Sequence, residues 1–328
     1  MTKNDGLNRE IIQWGYQYLS SHGYVLTSNF PENVQNTPWS YVIRFATLDG
    51  YIYLKHTPNL IALEAIIIRM LSEKLHVSVP EVIAHNAELN CFLMKDAGNT
   101  LREILKKQFD VNLLCKAIEQ FTSLQISAAD HVDIFIDIGV PDWRLDKLPH
   151  LYRQLLLQKD ILRADGITEI EINELEALIP KISNLCQKLA VYSIKQTIVQ
   201  PDFNDNNMLI DNISQKITSI DLGEIVISHP FFSLLNCLLQ IRKHHALTET
   251  DDAYIKVKGA CLKNFMDFES KEHLLDAFAT AEILWRVYWV LAQYRLMMAC
   301  GTEEIIEFQP GRLRNSLKEL MSALDVST

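Results

Sequence analysis

The chain has 328 residues, and its 41 Asp and Glu against 31 Lys and Arg give a formal net charge of -10, which excludes broad binding to nucleic-acid backbones. A hydrophobic content of 48% supports ordinary cores in a chain long enough for two lobes, and no run approaches the ~20 consecutive apolar residues of a membrane span. Six cysteines without a Cys-x-x-Cys pair argue against a zinc site and suit reduced thiols in a cytoplasm, with Cys186 and Cys237 as core fillers and not nucleophiles.

The start, MTKNDGLNREIIQWG, is polar and mixed in charge and lacks the apolar core of a signal peptide, so a cytoplasmic location is expected. Tyr24 to Phe30 alternates well enough for a first strand, and Tyr41 to Thr47 reads as a second. Leu48-Asp49-Gly50 then turns the chain into a third strand, Tyr51 to Lys55, with Lys55 at its end. Between the first two lies a polar stretch, Asn33 to Ser40, whose Asn36, Thr37 and Ser40 carry hydrogen-bonding groups. It reads equally as a lid over an anion or as a hairpin loop anchored by Trp39. Ile61 to Leu75 has apolar positions at helical spacing, interrupted by the charged Glu64. Thr100 with Glu103 forms a capping-box signature for a helix start at Thr100-Leu101-Arg102-Glu103. A boundary between lobes is expected near Lys95 to Asn99, dividing 1–95 from 96–328.

From Thr100 onward the pattern is mostly helical. Val111 to Ser127, Asp146 to Leu162, Ile172 to Val191 with a kink at Pro180, and the long Ala279 to Ala299 all follow the helical period. Phe231 to Ile241 is a further helical run, ending in Arg242-Lys243-His244-His245, where cations complement the helix dipole. Trp285, Tyr288 and Trp289 are spaced to share one helical face; they read chiefly as a buried stripe, with a cage for a quaternary ammonium as the functional alternative. Asp325 to Thr328 is expected to fray.

The most informative segment is 200–221, QPDFNDNNMLIDNISQKITSID. Thr197-Ile198-Val199 is a short β-prone run, Pro201 to Asn207 is too polar to bury as a strand, and Met208-Leu209-Ile210 resumes one. After a turn at Asp211-Asn212, Ile217 to Ile220 returns and delivers Asp221. Asp202 can orient or deprotonate a hydroxyl, while Asn207 and Asp221 can offer two oxygens to a magnesium ion, a sufficient protein share for that metal.

Gln200-Pro201-Asp202, four residues, Asn207 and then Ile220-Asp221 resembles the catalytic and metal loops of the aminoglycoside phosphotransferase and choline kinase group. That group's pattern is His-x-Asp, four residues, Asn, and a later Asp after a hydrophobic pair. Gln200 stands where the group has a His that braces the loop, and Gln125 of Leu124-Gln125 replaces a second His. The resemblance runs from about Val25 to about Leu238. It implies an α+β, two-lobed protein-kinase-like fold with a small N-terminal antiparallel-sheet lobe and a larger, mainly helical C-terminal lobe. It further implies that Lys55 holds the α- and β-phosphates and is itself held by Glu64. Backbone groups of Lys95 and Ala97 would meet adenine, Ser40 with its polar neighbours would cover the phosphates, Asp202 would be catalytic, and Asn207 and Asp221 would bind metal. The cofactors are then ATP, with GTP as the alternative nucleotide, and Mg2+; the partner is a small-molecule hydroxyl acceptor, aminoglycoside-, choline- or amino-alcohol-like, and neither nucleic acid nor membrane. Two other readings keep the fold: a catalytically weak nucleotide-binding or interaction module, and a kinase acting on a protein.

Overall fold

The structure, a computed structural model, describes residues 3–325; the expected fraying at the C-terminus falls, from 326 on, outside them. The chain divides into two compact units, one made of 1–98 and 210–223, the other of 99–209 and 224–328.

In the first unit, α1 (Lys3–Ser21) precedes β1 (Glu32–Thr37), β2 (Ser40–Thr47) and β3 (Gly50–His56); α2 (Glu64–Leu75), β4 (Val82–Asn86) and β5 (Cys91–Lys95) follow. The five strands form one antiparallel sheet in the order β1-β2-β3-β5-β4. Alternation along β2 and β3 sends Ile43, Phe45, Ile52 and Leu54 into a common core, where Ile11 and Leu19 of α1 meet them. That helix was not visible as such in the sequence, because its polar residues outnumber its few core contacts. The expected strand Tyr24 to Phe30 is not formed: only Leu26 makes a bridge, to Thr47, and the first strand of the sheet is instead the polar β1. Its residues are mostly exposed, so no hydrophobic alternation marks it. The helix expected from Ile61 begins at Glu64, after a short 3-10 turn at Asn59–Ile61.

The second unit begins with β6 (Asn99–Thr100) and α3 (Leu101–Lys107), the Thr100 hydroxyl accepting from the Glu103 N–H as its cap. Next come α4 (Val111–Ala129), α5 (Val132–Asp137), α6 (Leu148–Leu156), α7 (Lys159–Ala164), α8 (Glu169–Ala177) and α9 (Ile179–Leu189). Two expected long helices are therefore each two shorter ones. The first breaks at Leu157-Gln158, where Leu157 is left exposed, and the second before Pro180, which sits in the first turn of α9 where its missing N–H costs nothing. Along the chain, β7 (Thr197–Val199) precedes the polar loop and β8 (Met208–Ile210) follows it; β9 (Ile217–Ser219) belongs to the first unit, and β10 (Val226–Ser228) pairs antiparallel with β7. The turn between β8 and β9 is closed by the Asp211 carboxylate, which accepts from the N–H groups of Ile213 and Ser214.

The helices α10 (Phe231–His245), α11 (Asp252–Lys263), α12 (Lys271–Cys300), α13 (Thr302–Phe308) and α14 (Arg312–Asp325) complete the unit. The 30-residue α12 is its axis, packed against α6, α9, α10 and α14. No helix among the described residues is long and apolar enough to cross a membrane. All six cysteines are free, and burial pushes the Cys186 thiol up to about 12, so it fills space and does not react.

Candidate active site

The first unit assembles three of the singled-out residues. Lys55, one residue from the end of β3, is only 5% exposed, and its ammonium lies 2.5 Å from a carboxylate oxygen of the fully buried Glu64 and in contact with Asp221. Glu64, at the first position of α2, also accepts from the Leu222 N–H at 3.1 Å, which ties the helix to the Asp221-Leu222-Gly223 turn. Burial alone would lower the pKa of Lys55; the charges of Asp221 and Glu64 outweigh it and keep the ammonium protonated. Burial likewise raises the Glu64 carboxyl, against the pull of Lys55.

Asp221 has φ 61°, a left-handed conformation that Asp tolerates better than most residues and that turns its half-exposed carboxylate away from the strand course. Gly223 is needed next to it: a Cβ there would stand 2.8 Å from the Ile61 carbonyl oxygen.

Ser40 closes a hairpin whose turn is Pro38-Trp39, giving its N–H to the Thr37 hydroxyl at 3.1 Å. Between the two readings of Asn33 to Ser40, the geometry is that of a hairpin. The Ser40 hydroxyl itself is buried and finds no hydrogen-bond partner among the described residues. The Lys95 N–H is committed to the Glu81 carbonyl at 3.0 Å and its side chain to the Glu81 carboxylate, while Ala97 follows in the half-buried connection.

The second unit holds Asp202 and Asn207. Pro201 to Asn207 is a loop in which Phe203, Asn204, Asp205 and Asn207 are buried and Asp202 is exposed. Both carboxylate oxygens of Asp202 are fixed from within the loop, Oδ1 by the Asn204 amide at 2.8 Å and Oδ2 by the Asn207 amide at 3.0 Å. Both amides also donate to the Asp202 carbonyl at 2.8 Å. With Nδ2 of Asn207 turned to Asp202, its amide oxygen is the end suited to a cation. No cluster of three or more His, Cys, Asp or Glu capable of holding a metal occurs among the described residues, so any cation here relies on a sparse protein share, which magnesium accepts. The two residues assigned to metal, Asn207 and Asp221, belong to different units.

Where the sequence pattern puts Gln for His, the loop is braced through other groups. The Gln200 N–H donates to the Ser233 hydroxyl at 2.8 Å, and that hydroxyl donates back to the Gln200 carbonyl at 3.0 Å. Gln125 is buried and gives its amide to the carbonyls of Ile198 and Pro230 at 3.0 and 3.1 Å, joining α4 to β7 and to the start of α10. Phe203 stacks on Phe121 with centroids 3.7 Å apart, and Asn236 of α10 donates to the Phe203 carbonyl. Unremarked in the sequence are Asn204, Asp205 and Arg102, whose polar contacts join segments about 100 residues apart.

The expected single aromatic face on α12 divides. Tyr288 is fully buried, stacked on Phe232 and edge-on to Trp143, while Trp285 and Trp289 are half-buried and stacked on each other at 5.5 Å. These two indoles, with Glu282, Arg286, Asn236 and Glu319, line an open groove between α10, α12 and α14. The basic cluster closes α10 as expected, with His245 turned inward onto Asp205.

Neither protein-family models nor curated protein sequences match the chain. Solved structures do. An ethanolamine kinase of Plasmodium vivax superposes with a TM-score of 0.59 at 12% identity, covering 90% of this chain and 81% of that one. The amicoumacin kinase hAmiN, in complex with AMP-PNP, Ca2+ and Ami, gives 0.58 at 14% identity, with 94% and 93% covered. An ADP-bound aminoglycoside phosphotransferase, APH(2'')-Ib, gives 0.53 at 18% identity, with 94% and 96% covered. At these identities the likeness establishes the fold: the chain has the α+β, kinase-like fold shared by these small-molecule kinases and phosphotransferases, as its motifs implied.

Proposed function

We propose that this protein is an ATP- and Mg2+-dependent phosphotransferase acting on a hydroxyl group of a small molecule. The observation that carries the reading is the exposed Asp202 carboxylate on a largely buried loop, with each oxygen held by an amide of that same loop. An anion so fixed is positioned to orient an acceptor hydroxyl and take its proton as the oxygen attacks phosphorus. Lys55, held by Glu64, supplies a buried positive charge suited to nucleotide phosphates, and Asp221 with Asn207 the oxygens suited to Mg2+. The metal, when bound, neutralises charge on the transferring phosphate. Adenine recognition falls to the connection at Lys95 to Ala97, and Ser40 offers a hydroxyl without a partner of its own.

The nucleotide-bound phosphotransferase and kinase among the similar structures support a nucleotide as phosphoryl donor and a small molecule as acceptor. A screen of hydroxyl-bearing metabolites, monitored by ADP release, tests the reading. It predicts at least one acceptor whose phosphorylation is abolished in Asp202→Asn. Release that is indifferent to every small acceptor, and appears only with protein substrates, would overturn it.

A further inference from the structure

Asp205 is the most deeply placed charge of the loop, 0% exposed, and nothing in the proposed chemistry uses it. A carboxylate so far from water is tolerated only if its lone pairs are filled, since its desolvation costs several kcal/mol, of order ~5. Here they are filled. Oδ1 accepts from Nε and Nη2 of Arg102 at 2.9 and 2.7 Å, and Oδ2 meets Nε2 of His245 at 2.7 Å. The Arg102 N–H also donates to the Asp205 carbonyl at 3.0 Å, so the first turn of α3 is latched to the loop by backbone and side chain together.

The latch reaches further than Asp205. Nη2 of Arg102 also donates to the Asn204 side-chain oxygen at 2.8 Å, and that oxygen accepts the Asn206 N–H at 2.8 Å. With its oxygen engaged by two donors, the Asn204 amide can present only its NH2 end elsewhere, and that end donates to Asp202 Oδ1. A guanidinium can do this because its planar fork reaches two acceptors at once; an ammonium is a single point.

We propose that Arg102 is a positioning residue for Asp202, acting through the orientation of Asn204, with Asp205 and His245 as the buried anchor that holds Arg102. It rests on the reading of Asp202 as the residue that handles the acceptor proton. Four side chains then replace, by another route, the bracing that a His at position 200 would give.

The test uses the full chain and three variants, Arg102→Lys, Asn204→Ala and the double, with MgATP hydrolysis, MgATP affinity and Tm measured for each. Arg102→Lys keeps the charge beside Asp205 and so keeps the fold. Each single variant should lower kcat at least tenfold, as expected when a reacting group is misplaced by a fraction of an ångström. MgATP affinity should stay within about threefold, and the double should be no worse than the poorer single, because both act on one contact. Variants that shift Tm with kcat intact, or losses that multiply in the double, would overturn the proposal. If the wild-type protein has no Asp202-dependent turnover, the functional reading fails. Positioning is then decided by hydrogen exchange at the Asn206 and Asn207 N–H groups, which must lose protection in Arg102→Lys; unchanged protection refutes it.

Discussion

Lys55 sits between a fully buried carboxylate and a half-exposed one, and the two cannot be treated alike. Removing the ammonium leaves Asp221 with water but strands Glu64, and an uncompensated buried charge costs about 3–5 kcal/mol. Lys55→Ala is therefore expected to lose both nucleotide binding and much of the fold's stability, seen as a large drop in Tm. The double variant Lys55→Met with Glu64→Gln removes both charges and keeps an acceptor for the Leu222 N–H; it should recover most of the Tm while remaining unable to bind nucleotide. Recovery of binding with stability would mean that Lys55 serves the core alone. The pairing of Lys55 with Glu64 was implied by the family resemblance, and the two side chains do meet. The burial of Lys55 was not, since it depends on how the Asp221 turn covers it. Asp202 and Asn207 were legible from a spacing of five within one loop. Arg102 and Asp205 stand 103 positions apart, and no local pattern joins them.

Elements announced themselves where hydrophobic period and turn chemistry agreed, as in β2, β3 and their Gly50 turn, or in α4 and β7. They stayed hidden where exposure removed the period, as in β1, or where a short break left the period intact on both sides, as between α6 and α7. The connection after β5 runs through Gly98, which leaves no room for a side chain. Its φ is +109°, and a Cβ would lie 2.1 Å from the Ile210 carbonyl oxygen, a backbone atom that cannot step aside cheaply. Gly259, by contrast, lies in α11 with open space around it. Gly98→Ala should destabilise by at least about 1–3 kcal/mol from backbone strain alone. Gly259→Ala should stabilise by roughly 0.5–1 kcal/mol through helix propensity. Chemical denaturation of the two variants checks the contrast; equal effects would mean that the connection is looser than its geometry indicates.

At the scale of the whole molecule, the chain builds a sheet-centred unit, leaves it at residue 98, and returns to it for residues 210–223. That return is what brings Asp221 to Lys55 and Glu64, and it explains why a motif split across 20 residues could signal the architecture. Strand, turn and strand between Asn207 and Asp221 are short and strongly patterned, so the resemblance they carry could imply the fold class. The acceptor was not legible: the groove of the helical unit draws its lining from three helices far apart in the sequence, and no local pattern joins them.

The central claim is that the protein binds MgATP and that Asp202 acts on the acceptor's proton. It is tested most directly by titrating nucleotide and measuring turnover in Asp202→Asn and Asp221→Asn side by side. The account predicts that Asp202→Asn keeps MgATP affinity and loses about 10²–10⁴ in turnover, the usual worth of a positioned base. Asp221→Asn should lose the Mg2+-dependent part of nucleotide binding itself. Turnover that survives Asp202→Asn, or MgATP affinity that survives Asp221→Asn, would contradict it.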